Sequence, residues 1–241
     1  IQAAAIEGRA LVRSGRVAEG FRVLNDALVA EVENPGVQMV ETALAAAAAT
    51  VGDIGQGRRT LGHVPRIDPD QLGESDRAVA TALINLQMGN VTEASRLFDL
   101  VPGEAREDGS TWSWAVRGLV AAAADKGAAP YVAMVEESPR ATYADLVLAR
   151  CAAACAAARV GDEAAARLAL DRAYEAVPLG GDRIHPTIVA LAEAQCLAAL
   201  DTTDAAPAEV RAIKTAGALG IDSAGWRTAF AAACGELEAV G

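Results

Sequence analysis

The chain has 241 residues and a formal net charge of −11 at pH 7, with an isoelectric point of about 4.7. This charge opposes direct binding to nucleic acid or to anionic lipid surfaces. Hydrophobic residues make up 52% of the chain but aromatic residues only 4%, and alanine, the strongest helix former, dominates the apolar tracts. Those tracts are shorter than the ~20 residues of a membrane-spanning helix. We therefore expect an all-α protein with no membrane or nucleic-acid partner.

A glycine-led pattern recurs along the chain. Each copy starts with glycine, has a small residue five positions later and a large apolar residue four positions after that. The leading residues are Gly15, Gly52, Gly89 and Gly161, the small ones Gly20, Gly57, Ala94 and Ala166, and the large ones Leu24, Leu61, Phe98 and Leu170. The leading glycines are 37, 37 and 72 residues apart, which leaves room for a weaker copy near Gly127. A fixed repeat of this length predicts stacked helix pairs. The leading glycine would end the first helix in a left-handed conformation, and the small residue would lie where helices cross.

The predicted elements follow in chain order as six helix pairs and one final helix. The pairs are expected at residues 1–35, 36–69, 74–104, 110–138, 140–178 and 185–219, and an amphipathic helix at 223–240 is expected to cap the open end of the array. Each pair needs its neighbours to bury its apolar face. Residues 1–241 are therefore predicted to form one domain.

The segment 52-GDIGQGRRTLG-62 has the outer glycine spacing of a phosphate-binding loop. Such a loop needs Lys and then Ser or Thr after its last glycine, but Arg58 and Arg59 stand there. It should also follow a strand, whereas an alanine-rich helical stretch precedes Gly52. The segment is predicted to be a turn between two helices.

The four cysteines lie in helical tracts at positions 151, 155, 196 and 234. Cys151 and Cys155, four residues apart, share a helix face and could offer two ligands to a metal, but no further pair at zinc-like spacing completes a set. They are interpreted as small buried residues that take the place of alanine. No metal or cofactor is expected, and reduced thiols favour a cytoplasmic protein.

Neither histidine lies in a recognisable catalytic motif. His63 is near the end of a predicted helix, and His185 precedes Pro186 in a predicted loop. Zinc-protease and nucleophile motifs are absent from the sequence. Both histidines are expected to cap helices or to be exposed, and no enzymatic activity is predicted.

The helix-pair pattern resembles the tetratricopeptide repeat (TPR) family, whose motif runs W-x2-L-G-x2-Y, A-x3-F and P. Gly57 and Leu61 with Pro69 match its second half, as do Ala166 and Leu170 with Pro178. Gly8 and Leu11 match the G-x2-Y part. The resemblance implies an α-α superhelix whose concave groove is lined by the first helix of each pair.

By the same resemblance, the groove-facing positions also include Thr42, Leu83 and Cys151, and the seven candidate binding residues among them are Arg9, Arg13, Gln87, Trp114, Arg117, Arg159 and Gln195. Four arginines in an acidic protein favour a protein partner, an acidic peptide or a carboxylate ligand, with Trp114 as an aromatic anchor. The alternative is that these arginines are scattered over the surface and pair locally with Glu or Asp.

Two classes of function follow. The first is a protein-interaction or regulatory module, because segments such as residues 16–32 are similar to the helical repeats of LuxR-type ATP-dependent transcription regulators and of some bacterial nucleotide cyclases. The second is a small-molecule sensor with its effector inside the superhelix near Trp114 and Arg117. Arginine far outnumbers lysine, which with the abundant alanine favours a high-GC bacterium, and the chain is expected to be part of a longer protein.

Overall fold

The computed structural model describes residues 2–30, 37–62, 74–99, 111–177 and 182–236, and every regular element in these ranges is an α-helix. The thirteen helices are α1 (Gln2–Arg13), α2 (Val17–Ala30), α3 (Val37–Val51), α4 (Ile54–Gly62), α5 (Glu74–Gln87), α6 (Val91–Asp99), α7 (Thr111–Ala123), α8 (Ala129–Glu136), α9 (Tyr143–Arg159), α10 (Glu163–Ala176), α11 (Ile184–Ala199), α12 (Ala205–Leu219) and α13 (Ser223–Cys234). The all-α prediction is thus confirmed for the described residues. None of these helices is long and apolar enough to cross a membrane.

The helices form the expected six pairs, α1–α2 to α11–α12, followed by α13. The largest difference from the expected bounds is at the final helix, which was predicted to reach residue 240 but ends at Cys234, where Gly235 follows with φ +86°. At the last pair, α11 begins at Ile184, so His185 is helical. Pro69, Pro178 and His63 of the sequence analysis lie outside the described residues, as does the end of the predicted final helix at 237–240.

The turns inside the pairs confirm the role of the leading glycines. Gly15, Gly52, Gly89 and Gly161 have φ between +74° and +85°, and Gly127 has φ +78° at the weaker copy. Residues with a β-carbon rarely adopt this conformation. The predicted turn is confirmed at Gly52 and Asp53, but the prediction was wrong for the rest of the segment, because Ile54–Gly62 forms helix α4.

The small residues lie at close helix contacts. A β-carbon added to Gly20 would lie 2.6 Å from the carbonyl oxygen of Gly8 on α1. One added to Gly57 would lie 2.4 Å from Cδ1 of Ile84 on α5, the first helix of the next pair. Gly20 thus brings together the two helices of its own pair, whereas Gly57 mainly brings one pair against the next.

The first helices of the pairs, here called the inner helices, are α1, α3, α5, α7, α9 and α11. Each packs against the inner helix of the neighbouring pair, and α1 also touches α11. The second helices pack against their own inner helix and, except for α12, against the inner helix that follows. The six pairs are therefore arranged around a common centre.

The last helix occupies this centre, which corrects the prediction that it caps the open end. Helix α13 packs against α5, α7, α9 and α11, and only weakly against its chain neighbour α12. The backbone N–H of Asp222, just before α13, donates to the carbonyl of Val51 at 2.7 Å. Buried Trp226 and Phe230 give α13 a large apolar surface. Packing between the inner helices removes this surface from water, which stabilises the central position of α13.

Candidate functional site

A cavity lies among the inner helices at the N-terminal end of α13. All six inner helices contribute to its lining, and Trp226 of α13 completes it. The lining is mostly apolar, and its ionisable side chains are Arg9 of α1 and His185 of α11. The space open to the centre of a water-sized sphere is about 40 Å³, which corresponds to roughly three water molecules. The cavity suits a small ligand.

His185 is held in place by a buried carboxylate. Its ring Nδ1 lies 2.7 Å from Oδ2 of Asp182, and its backbone N–H donates to Oδ1 of Asp182 at 3.0 Å. The backbone N–H of Ile184 also donates to Oδ1 at 2.8 Å, so Asp182 caps the start of α11. Pro186 fits here because the first turn of a helix needs no intrahelical N–H donor. With Nδ1 engaged by Asp182, Nε2 is the ring nitrogen left for a ligand.

The Asp182 carboxylate also accepts a hydrogen bond from the Tyr143 hydroxyl, whose oxygen lies 2.5 Å from Oδ2. The Tyr143 ring stands edge-on to the His185 ring, with 5.5 Å between the ring centres. Burial alone would raise the pKa of Asp182. The pKa is instead lowered to about 2, because Asp182 accepts hydrogen bonds from His185 and Tyr143 and interacts with the charge of His185. Asp182 is therefore a carboxylate at neutral pH.

Trp226 connects α13 to the cavity wall. Its indole Nε1–H donates to the carbonyl of Thr50 at 2.9 Å, and its ring stacks on Phe230 with centres 5.2 Å apart. Trp112 from the first turn of α7 lies on the same cavity. Aromatic faces of this kind bind apolar or aromatic ligand groups.

The cavity therefore offers a guanidinium, an oriented imidazole and two indole rings. Arg9 can bind a carboxylate through two parallel N–H donors. The first turns of α7, α9 and α11 also contribute lining residues, and helix N-termini carry partial positive charge. This combination is suited to a small molecule that has a carboxylate and an apolar body.

The seven candidate binding residues predicted from the sequence lie in different parts of the structure. Arg9 is half-buried and lines the cavity. Arg13 is on α1, with its side chain outside the described part of the structure. Gln87 is 1% exposed and donates from Nε2 to the carbonyl of Ala49 at 2.7 Å, and Gln195 is 7% exposed. Both glutamines lie in the protein interior.

The other three predicted residues contact different parts of the protein. Trp114 is half-buried against the core. Arg117 lies over the ring of Phe98 on α6, with Cζ 4.8 Å from the ring centre. Both are on α7, where Trp112 lines the cavity.

Arg159 lies at the C-terminal ends of α7 and α13. Its Nη1 donates to the carbonyls of Ala122 at 3.1 Å and Ala232 at 3.4 Å, and its Nε lies 3.5 Å from Oδ1 of Asp125. These carbonyls also accept the backbone N–H groups of Asp125 and Gly235, so Arg159 adds a second donor at two helix C-termini, where a positive charge is favourable. Partner binding by the seven residues as a set stays a prediction.

Sequence reasoning missed Asp182, His185, Trp112 and Trp226. His185 was expected in a loop, either capping a helix or exposed; the loop and the exposure were wrong, because His185 is 6% exposed and lies in the first turn of α11. A local signal existed, since Asp182 precedes His185 by three residues, the spacing at which a capping carboxylate reaches the first turn of a helix. The contribution of Trp226 depends on contacts between distant parts of the chain and had no local signal.

Comparisons with protein-family models, with curated proteins and with solved structures find no match for this chain. The function is therefore inferred from the site itself.

Proposed function

We propose that this chain is a regulatory, ligand-binding domain with a TPR-like superhelix, whose inner helices hold a small effector that carries a carboxylate. The observation that carries the proposal is one cavity to which all six inner helices and α13 contribute, with Arg9 and His185 as its ionisable side chains. The left-handed glycine turns and the packing of each pair against the next support the TPR-like part.

The charge distribution favours an anionic ligand. The protein has a net charge of −11, whereas the described lining of the cavity includes an arginine and neither Asp nor Glu, so an anionic ligand is repelled less there than over the rest of the surface. Because most of the lining is apolar, a charge-assisted hydrogen bond contributes more there than it would on the surface. A neutral analogue of the same shape should bind more weakly.

The position of the cavity favours regulation. A ligand there would touch helices from every pair and the side chain that anchors α13. A ligand that binds one arrangement of these helices better than another shifts the population towards it. We propose that the effector stabilises the arrangement with α13 in place and that attached domains of a larger bacterial regulator respond to it.

The test is a screen of small aliphatic carboxylates against their amides, monitored by thermal shift and by tryptophan fluorescence. Arg9→Gln should weaken carboxylate binding about 10- to 100-fold, the loss expected for a charge-assisted hydrogen bond. The matched control is Arg22→Gln on α2, where the exposed arginine lies 3.9 Å from Asp26. Equal affinity for carboxylates and amides, or equal losses in the two variants, would contradict the proposal.

A peptide or protein partner is the second proposal. The observation in its favour is that α13, a helix rich in small residues, already packs against four inner helices, as a helical ligand packs in a groove. Its test is binding of acidic and neutral helical peptides to the full chain and to a variant ending at residue 222. Binding only by the shortened chain would favour a partner that replaces α13, whereas no binding by either chain would leave the effector proposal alone.

The similarity to LuxR-type regulators also stays a proposal, and the coding sequence around this chain tests it. An adjacent ATPase, cyclase or DNA-binding domain would support a signalling role. Neighbouring coding sequence with no such domain would contradict it.

A further inference from the structure

Three cysteine side chains meet in the protein interior, away from the residues that line the cavity. They are Cys155 of α9, Cys196 of α11 and Cys234 of α13, and they are called here the cysteine cluster. The Sγ of Cys196 lies 3.9 Å from the Sγ of Cys155 and 3.9 Å from that of Cys234. All three sulfurs are within 4.8 Å of one another, and each residue is at most 4% exposed.

These separations fit three ligands of one metal ion. A metal–thiolate bond is about 2.3 Å long, so three such bonds at 120° place the sulfurs about 4.0 Å apart. The two distances at Cys196 are close to this value, whereas a disulfide needs sulfurs about 2.05 Å apart. Formation of a metal site therefore requires smaller movements than formation of a disulfide.

The donor set selects the metal. Within the described residues the cluster contains thiols alone, with neither histidine nor carboxylate. Structural zinc takes four protein ligands, and catalytic zinc takes three protein ligands and a water molecule. This cluster has three sulfurs and is buried, so it fits neither kind of zinc site. Thiolates select soft ions, and a filled-shell monovalent ion accepts three sulfur ligands in a plane. We propose that Cys155, Cys196 and Cys234 bind one thiophilic monovalent ion, copper(I) by class.

Each cysteine that coordinates as a thiolate releases its proton to solvent, and three thiolates with one monovalent cation carry two negative charges. A buried charge needs a nearby partner. Arg159 lies one turn after Cys155 on α9, packs against Gly235 and donates to the carbonyl of Ala232 near Cys234. Its guanidinium, which also lies 3.5 Å from Oδ1 of Asp125, offsets part of this negative charge at the end of α13.

The bound ion would join α9 and α11 to α13, and so would hold the central helix at the end opposite Trp226. This role does not depend on the effector cavity, so the two proposals can fail separately.

The test titrates the fully reduced protein with copper(I) under anaerobic conditions against a colorimetric copper(I) chelator. We expect one equivalent per chain, an ultraviolet thiolate-to-metal charge-transfer band, and a first shell of three sulfurs by X-ray absorption. Silver(I), which is redox-inert, should give the same stoichiometry. Cys196→Ala should lower the affinity at least about 100-fold, because it removes a direct ligand.

The matched control is Cys151→Ala, which removes a buried cysteine one turn before Cys155 on the same helix and outside the cluster. It should bind copper(I) like the unaltered protein. Circular dichroism establishes that each variant is folded, and Cys234→Ala replaces Cys196→Ala if the latter does not fold.

Three results would overturn the proposal. They are equal binding by the unaltered protein and Cys196→Ala, a first shell containing nitrogen or oxygen, and failure of the reduced protein to compete with the chelator. Since the X-ray absorption result comes from the unaltered protein, it decides the question whatever the variants do.

Discussion

Gly20 lets two helix backbones touch. A β-carbon there would lie 2.6 Å from the Gly8 carbonyl oxygen and 2.6 Å from Cγ2 of Val12. The oxygen belongs to the backbone of α1, so it can move only if the helix moves. Gly217 on α12 is different, because a β-carbon there would meet no heavy atom within 4 Å. These two glycines provide a matched pair for the role of close packing.

Gly20→Ala should lower the free energy of unfolding by about 1–3 kcal/mol, the usual cost of overpacking. Gly217→Ala should instead raise it by up to about 1 kcal/mol, because alanine restricts the unfolded chain and favours the helix. Urea unfolding followed by circular dichroism measures both changes. Equal effects of the two substitutions would mean that α1 and α2 are farther apart than described.

Asp182 gives a second residue-scale prediction, for acid pH. Its pKa is about 2 in the folded protein and about 3.9 in an unfolded chain. Because the folded pKa is the lower one, its stabilising contribution is present above about pH 4 and is lost as the pH falls towards 2. Asp182→Asn keeps a capping side chain but removes the charge. We expect the variant to be about 1 kcal/mol less stable at pH 6, after allowance for solvent screening.

That difference should shrink between pH 4 and pH 2, as measured by urea unfolding at each pH. A difference that stays constant over this range would contradict the ionic interaction of Asp182 with His185.

At the scale of elements, α13 links regions that are far apart in the sequence. Trp226 is 2% exposed, and its hydrogen bond to Thr50 spans 176 residues. The helix itself was predictable from its amphipathic pattern. The position of the helix in the fold was not predictable. An amphipathic pattern indicates that an apolar face is buried but does not identify the helices that bury it. The same limit explains why the cysteine cluster, which joins three helices, had no sequence signal.

Substitutions of Trp226 separate its packing from its hydrogen bond. Trp226→Ala should cost about 3–5 kcal/mol, as for other buried large side chains. Trp226→Phe keeps most of the apolar contact and loses the Nε1 donor to Thr50, so it should cost about 1–3 kcal/mol for the unsatisfied carbonyl and reduced volume. Equilibrium unfolding in urea gives both values. If Trp226→Ala cost no more than Trp226→Phe, the packing of α13 among the inner helices would be wrong.

For the whole molecule, the six pairs and most turns were predictable because they rest on local signals: glycines with positive φ, small residues at crossings and helix propensity. The packing at the centre was not predictable. The contact between α1 and α11 depends on the rotation from each pair to the next, summed over all six pairs. Of the cavity residues, Arg9 and Leu83 were predicted through their places on inner helices. His185 and Trp112 were missed because their importance appears only once distant helices are brought together.

The contacts around α13 predict cooperative unfolding. In open repeat arrays each repeat contacts its neighbours alone, and the ends can unfold separately. Here α13 packs against four inner helices, and α1 touches α11. Circular dichroism and tryptophan fluorescence should therefore report the same urea midpoint, and amide protons in α1 and α11 should exchange with the same opening free energy. Early loss of protection in α1 and α2 alone would contradict this prediction.

The contact between α1 and α11 also bears on how this protein can change in evolution. An open array can gain or lose a repeat by duplication or deletion, because the remaining contacts are unaffected. A pair inserted within this arrangement would separate α1 from α11 and leave gaps around α13. Loss of a pair would bring the inner helices too close together for α13 to pack between them. We therefore expect insertions in the connections between helices, where they change neither the spacing of the pairs nor the packing around α13.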